Sequence, residues 1–250
     1  LQKNHLTLAL GLMNKLEQSR FRDRLDIKVI ISSIHSCFLG NACVLPEAFA
    51  FHTSNVRPSV VSDALAKLGS EQFLPRLSRS FRFDAPEPPP SLEARTEGVS
   101  EAVRLVEDLA TKRNEVAHGA VSEVLANSVL APYVSATEGF GLALCDELQL
   151  VSAISGARYG NVLGSPLQLF DRHIVCLRIC NATVHVGDYL LAETADSSEP
   201  YRLGEILEIQ KDHASVEGLA APPDVEAGFR MSCRFKENHK FTHIPRQYVL

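Results

Sequence analysis

The sequence predicts a mixed α+β protein, with an all-helical domain at residues 1–158 followed by a small β-barrel domain at residues 168–250. Through the first part of the chain, apolar residues recur close to every 3.6 positions, which is typical of helices. A segment rich in glycine, serine and proline, SGARYGNVLGSPLQ, ends this pattern. Short apolar runs separated by turn residues follow, and they predict a meander of five or six strands ending near HKFTHI. Short strands over about 80 residues favour an SH3-like or OB-like barrel.

Two long helices are predicted within residues 1–52, where the second is apolar on nearly all sides and suits a bundle centre. RPSVVSDALAKLG predicts a short helix that begins near Pro58 and ends at Gly69. The proline-rich stretch DAPEPPPS, residues 84–91, predicts an extended loop inside the helical domain, because successive prolines exclude a helix.

SEAVRLVEDLATKRNEVAHG predicts the strongest helix of the chain. Ser100 is the expected N-cap, and Gly119 is the expected C-terminal stop. Its buried stripe is expected to run from Val103 to Val116 and Ala117. A last long helix is expected over residues 133–155.

The overall charge excludes a protein whose entire surface attracts nucleic acid. The chain has 250 residues, 45% hydrophobic and 22% charged, with a formal net charge of -5. This composition is ordinary for a soluble globular protein that can bury a core without disulfides. Any contact with nucleic acid must therefore come from a local basic patch.

The cysteine pattern predicts reduced thiols and a cytoplasmic protein. The six cysteines form no C-x-x-C pair, and most lie in apolar runs such as IVCLRIC, where buried thiols behave as small hydrophobic groups. No stretch reaches the roughly 18 uninterrupted apolar residues of a membrane span. LQKNHLTLALGLMNKL has too short an apolar core for a signal peptide. We therefore expect no membrane association.

Arg113, Asn114 and His118 form a polar cluster at the end of the strongest predicted helix. Histidine exchanges a proton near neutral pH, and the arginine fork matches phosphate oxygens. Such a set suits RNA cleavage by the neighbouring 2'-hydroxyl, with His118 as general acid or base and Arg113 stabilising transition-state charge. This chemistry needs no metal and no cofactor. Basic residues in a last turn also complement the helix dipole, so an ordinary helix end remains the alternative.

The geometry of one helix does not by itself bring both groups to one atom. At ~100° per residue, Arg113 lies about 140° around the helix from His118. Convergence requires a frayed last turn or a second copy of the helix.

The segment LVEDLATKRNEVAHG resembles the core motif of HEPN domains (higher eukaryotes and prokaryotes nucleotide-binding). The ribonuclease signature of that family is arginine, a polar residue that is often asparagine, a few variable residues and histidine. RNEVAH matches it at Arg113, Asn114 and His118, and the resemblance covers roughly residues 5–156.

The resemblance implies an all-α bundle that forms a homodimer through the motif helix, so that the site is composite. It implies metal-independent cleavage of an RNA substrate, as in toxin–antitoxin or anti-phage systems, and an antitoxin or regulatory protein as a partner. Some members of the family have lost activity. The alternative is therefore an inactive scaffold that binds nucleotide, RNA or a partner protein.

The stretch FRMSCRFKENHKFTHIPRQY is locally basic and supplies four candidate RNA-binding residues, Arg230, Arg234, Lys236 and Lys240. Aromatic residues are interleaved with them, namely Phe229, Phe235, Phe241 and Tyr248. On strands this pattern gives either a stacking platform with phosphate contacts or a half-buried strand pair. We favour the strand pair, with the aromatic residues inward and the basic residues in solvent.

Two smaller patterns have structural interpretations. Cysteines and histidines near the C-terminal end imitate a zinc site, but their spacing is not a standard one, and we expect no metal. The set comprises Cys176, Cys180, Cys233, His239 and His243. In VHVGDYLL, the pair Gly187 and Asp188 predicts a turn.

Overall fold

The computed structural model describes residues 9–13, 26–39, 57–70, 73–80, 92–117, 126–197, 199–220 and 224–249. The chain divides into two compact units, residues 1–140 and residues 141–250. The first unit is helical where it is described, and the second consists of the end of a helix and an antiparallel sheet. The predicted mixed α+β class, with helices before the sheet, is confirmed. The proline-rich loop, His118 and Gly119 lie outside the described residues.

The described residues of the first unit include four helices and the beginning of a fifth. They are α1 (Ile27–Phe38), α2 (Pro58–Lys67), α3 (Phe73–Ser80), α4 (Leu92–Ala117) and α5 (Asn127–Gly156), and residues 9–13 are also helical. Helix α2 begins at Pro58, as predicted, since proline is tolerated in a first turn. The chain leaves it at Gly69, whose φ of 94° suits glycine.

Helix α4 carries the motif and packs through small and branched residues. Val106 and Ala110 are buried on its inner face, which confirms that part of the predicted stripe. The expectation that the stripe reaches Val116 is wrong, because this side chain is 58% exposed. The expected N-cap at Ser100 is also wrong. The helix starts at Leu92, since LEAR supplies strong helix formers ahead of Ser100.

Helix α5 is 30 residues long and begins at Asn127, before the expected start at residue 133. Its residues 127–140 belong to the first unit, where Phe140 meets Phe73 edge-to-face at 5.7 Å between ring centroids. By length and composition alone, residues Asn127–Tyr159 are apolar enough to cross a membrane, with a mean hydropathy of 1.2. Only this one segment of the described chain passes that test.

The described residues of the second unit form ten strands, where the sequence predicted five or six. They are β1 (Asn161–Gly164), β2 (Gln168–Phe170), β3 (Ile174–Ile179), β4 (Thr183–His185), β5 (Tyr189–Glu193), β6 (Tyr201–Lys211), β7 (Ala214–Val216), β8 (Gly218–Ala220), β9 (Val225–Met231) and β10 (Lys240–Ile244). Four of these strands have three residues each, which is too short to show an alternating pattern in the sequence.

The main sheet is antiparallel throughout and is curled into a half-barrel. Its order is β1-β10-β5-β6-β9-β3-β2, with β7 added to β6, while β4 and β8 form a separate pair. The long strand β6 makes the bend, because residues 201–205 pair with β5 and residues 206–210 pair with β9. A register shift lies between Ile206 and Glu208. Most neighbouring strands are distant in sequence, so the predicted meander is wrong.

Strand β5 is buried on both of its faces. Leu190 and Ala192 belong to the main core inside the curled sheet. Tyr189 and Leu191 point the other way and pack with Ala153 of α5. The last turns of α5 therefore cover the outer face of the sheet at β5. This explains why β5 is a continuous apolar run and does not alternate between apolar and polar residues.

Gly160, between α5 and β1, is expected to tolerate no side chain. A Cβ atom at this position would lie 2.4 Å from the carbonyl oxygen of His243 on β10. Because backbone must move to relieve that contact, we expect Gly160→Ala to lower the free energy of unfolding by about 2–3 kcal/mol. A Cβ atom at Gly141 of α5 would have no neighbour within 4 Å, so Gly141→Ala is the matched control. Urea denaturation of both variants tests this, and equal midpoints would contradict it.

Candidate functional site

Helix α4 is held by polar contacts in the turns that precede the motif. Arg57, at the start of α2, forms an ion pair with Glu107, and its Nη2 donates to Thr111 Oγ1 at 3.5 Å. On another side of α4, the hydroxyl of Tyr133 from α5 donates to Asp108 Oδ2 at 2.6 Å. This hydrogen bond is the first cause of the raised pKa of the Tyr133 hydroxyl. Two neighbouring helices therefore fix α4 just before Arg113.

The structure brings two of the three predicted catalytic residues together. Arg113 and Asn114 lie near the C-terminal end of α4, and Arg113 Nη1 donates to Asn114 Oδ1 at 3.3 Å. Arg113 is exposed, as are the next two residues of the helix after Asn114. An amide oxygen that accepts from the guanidinium restricts its orientation while leaving other N–H groups of the fork for a ligand. His118 lies outside the described residues.

The four predicted RNA-binding residues do not form one patch. Arg230 on β9 pairs with Glu208 through an Nε–Oε2 distance of 2.9 Å. Arg234 Nε donates to His173 Nε2 at 3.1 Å. Lys240 lies on β10, and strands β5 and β6 separate β10 from β9 in the sheet. Arg234 and Lys236 follow β9, and Arg230 pairs with Ile174, next to the His173 that Arg234 contacts.

The aromatic residues of the basic stretch face the core. Phe229, Phe235 and Phe241 are fully buried, and the last two rings meet edge-to-face at 5.0 Å between centroids. The predicted inward position of the aromatic residues is therefore confirmed, which excludes a stacking platform built from these three rings. The predicted pairing of the two strands is wrong, because β9 and β10 each pair with other strands. Tyr248 is partly exposed, but its ring already stacks on Tyr159 at 5.2 Å.

The cysteines and histidines considered as a zinc site have other roles. Burial raises the pKa of the Cys233 thiol to about 12, and its Sγ lies 3.3 Å from the carbonyl oxygen of Leu203. Such a thiol stays protonated, whereas zinc binds thiolate. His239 Nδ1 accepts from the Lys236 backbone N–H at 3.4 Å. Among the described residues, no group of three or more potential ligands is placed to hold a metal ion.

The sequence also predicted that the cysteines in the apolar runs are buried. Cys145 and Cys180 are instead exposed, while Cys176 and Cys233 are half-buried, and these four described cysteines are all free thiols. Cys180 directly follows β3, on the outward side of the alternation that buries Leu177 and Ile179. The apolar run IVCLRIC thus continues past the strand that it predicts.

Asp188 is the centre of a buried polar network that the sequence did not reveal. Its Oδ1 accepts from the Arg246 backbone N–H at 2.9 Å, and its Oδ2 accepts from the His185 backbone N–H at 2.8 Å. His243 Nε2 lies 2.9 Å from the same Oδ2, and its Nδ1 lies 3.4 Å from Asn161 Nδ2. The turn prediction at Gly187 is confirmed by its φ of 88°.

The charge of Asp188 is stabilised despite its burial. Burial is the largest influence and acts to raise the pKa of this carboxyl. The hydrogen bonds from His243, Arg246 and His185 together outweigh it, so the pKa lies below its usual value. The hydrogen bonds of this network connect β1, the start of β5 and β10 in the described sheet. We interpret the network as structural, because its donors are already hydrogen-bonded within it.

The sequence matches no protein-family model and no curated protein. The resemblance to HEPN domains therefore stays a prediction from the motif residues Arg113, Asn114 and His118.

Proposed function

We propose that this chain is a metal-independent endoribonuclease with a HEPN-like helical unit, in which Arg113, Asn114 and His118 form the site. One observation carries the proposal. Arg113 and Asn114 are hydrogen-bonded to each other at the exposed end of a helix whose preceding turns are anchored by Arg57 and Tyr133. An anchored helix that presents a guanidinium to solvent is suited to binding a phosphodiester.

Each residue has a defined part in the proposed reaction. A 2'-hydroxyl oxygen attacks the adjacent phosphorus, and the bond from phosphorus to the 5'-oxygen breaks. His118 takes the hydroxyl proton or protonates the departing 5'-oxygen. Arg113 stabilises the charge that builds on the non-bridging oxygens, and Asn114 orients the guanidinium. The products are a 2',3'-cyclic phosphate and a 5'-hydroxyl end.

A homodimer through the motif helix makes the site complete. With Arg113 and His118 about 140° apart on one ideal helix, a second copy supplies the facing groups. Val116, 58% exposed beside the motif, gives apolar surface for such a contact. An antitoxin or other regulatory protein could cover the same end of α4 and so neutralise a cytoplasmic toxin or anti-phage effector.

Cleavage of a mixed RNA pool in EDTA by the purified chain tests this function. We expect wild type to fragment the RNA and His118→Ala to leave it intact, while far-ultraviolet circular dichroism shows the same helix content for both. Activity that is unchanged in His118→Ala would contradict the proposal.

The exposed Val116 also supports a second candidate, a catalytically inactive scaffold that binds a partner protein, nucleotide or RNA. This candidate predicts no cleavage by wild type. It also predicts that Val116→Asp weakens capture of the partner or self-association, since a charge at the centre of an apolar contact is costly.

A further inference from the structure

The second unit has a cleft of about 470 Å³ between the turn that joins β2 to β3 and the segment that follows β9. Its polar lining consists of Asp171 and Arg172 on the turn and Lys236, Glu237 and Asn238 on the facing segment. The apolar lining is the half-buried Leu169, since the ring of Phe235 is fully buried. A backbone hydrogen bond of 2.8 Å, from the Phe235 N–H to the Arg172 carbonyl, fixes one wall against the other. The volume is within the range of small-molecule sites.

The polar side chains of the cleft are uncommitted within the described structure. None of the side chains of Asp171, Arg172, Lys236, Glu237 and Asn238 makes a hydrogen bond or an ion pair to another described residue. Elsewhere on the same sheet, arginines are paired with acids. Arg178 bonds Glu226, Arg202 bonds Glu199 and Arg230 bonds Glu208. The cleft therefore presents positively charged donors and negatively charged acceptors that are available to a ligand.

The backbone at Arg172 is held in a conformation that arginine rarely adopts. Asp171 and Arg172 have φ values of 48° and 60°, in the left-handed region where a second turn residue is commonly glycine. Asp212 and His213, which join β6 to β7, have φ values of 51° and 64°. The two turns therefore carry the same backbone strain, and they differ in that only the first one lines the cleft. The second turn is outside the cleft and provides an internal control.

The mixture of charges indicates the kind of ligand. Arg172 and Lys236 can bind phosphate oxygens, and the nearby Arg234 adds positive charge beside the same turn, where it bonds His173. Asp171 and Glu237 can accept hydrogen bonds from hydroxyl or amino groups. Three basic groups and two acidic groups favour a ligand that is anionic at one end and rich in donors at the other. A ribonucleotide has both properties.

We infer that this cleft binds a ribonucleotide, with its phosphate held by Arg172 and Lys236 and its hydroxyl groups held by Asp171 and Glu237. The nucleotide is either free or a unit of an RNA strand. The inference goes beyond the proposed ribonuclease and stands without it, because the cleft belongs to the second unit and requires no catalysis.

Binding to the full chain tests the inference in two arms. One arm titrates each of the four 5'-ribonucleoside monophosphates by calorimetry. The other titrates a fluorescent eight-nucleotide RNA in EDTA by anisotropy, in a His118→Ala background so that cleavage does not interfere. Arg172→Gly and Lys236→Ala each remove one charged contact and are expected to raise the dissociation constant at least about 10-fold. The controls His213→Gly and Lys211→Ala, at residues that do not line the cleft, are expected to change it less than about 2-fold.

The two glycine variants separate binding from folding. Both remove a similar backbone strain, so both are expected to shift Tm in the same direction by about 1–3 °C. Binding of a monophosphate identifies a free nucleotide as ligand, and binding of RNA alone identifies a strand; both results support the cleft. Absence of binding by both probes, or equal losses in Arg172→Gly and His213→Gly, would overturn the inference. Failure to cleave RNA would overturn only the ribonuclease proposal.

Discussion

Arg113→Ala is expected to slow RNA cleavage by roughly 10²–10³-fold while the helical unit stays folded. The side chain is exposed at the end of α4, so its removal leaves no buried cavity. The loss arises because the guanidinium is the proposed partner of the phosphate charge in the transition state. Single-turnover rates on a defined RNA measure it, with thermal unfolding as the check on folding.

Two further variants sharpen that result. Arg113→Lys keeps the charge but loses the fork that also bonds Asn114, so we expect an intermediate rate. Glu115→Ala, at the next exposed position of the helix, is the matched control and is expected to keep nearly the wild-type rate. Equal rates for Arg113→Ala and Glu115→Ala would show that the guanidinium has no part in cleavage.

Asp188→Asn is expected to lower the free energy of unfolding of the second unit by about 2–4 kcal/mol at pH 7. Both carboxylate oxygens accept hydrogen bonds, Oδ1 from Arg246 and Oδ2 from His185 and His243. Asparagine has one oxygen, so its amide N–H groups would face a buried donor. Urea unfolding followed by near-ultraviolet circular dichroism reports on this unit, because four of the five tyrosines lie in it.

The effect of Asp188→Asn is expected to depend on pH with a definite sign. Because the folded pKa of Asp188 is lowered, its contribution is present above the unfolded value of about 3.9 and is lost as the pH falls through the folded pKa. The difference between wild type and variant should therefore shrink below pH 4. Asp212→Asn, in an exposed turn, is the control and should be neutral. A difference that stays constant from pH 7 to pH 3 would contradict this explanation.

Local signals predicted some elements because they act within a few residues. Pro58 and Gly69 bound helix α2 through their own backbone preferences, and both predictions are confirmed. The prediction that α4 begins at Ser100 is wrong, because a capping residue starts a helix only where the residues before it are not helical. The short strands were not predicted for a similar reason, since a strand of three residues is too short to show an alternating pattern.

The polar sites of the second unit depend on contacts that no local pattern encodes. Asp188 and His243 are 55 positions apart and meet because β5 pairs with β10. Arg172 and Lys236 line one cleft because the chain after β9 returns to the β2–β3 turn. A sequence shows the residue types in such sites, but only strand order decides which ones meet. The basic stretch illustrates this, as Lys240 pairs with β5 while the other three candidates lie at or after the end of β9.

The central claim is that Arg113 and His118 cleave RNA without a metal. Its most direct test is the chemistry of the RNA ends produced in EDTA by wild type and by the Arg113→Ala, His118→Ala variant. We predict fragments with 2',3'-cyclic phosphate and 5'-hydroxyl ends from wild type alone. Intact RNA with both proteins, or the same fragments with both, would contradict the claim.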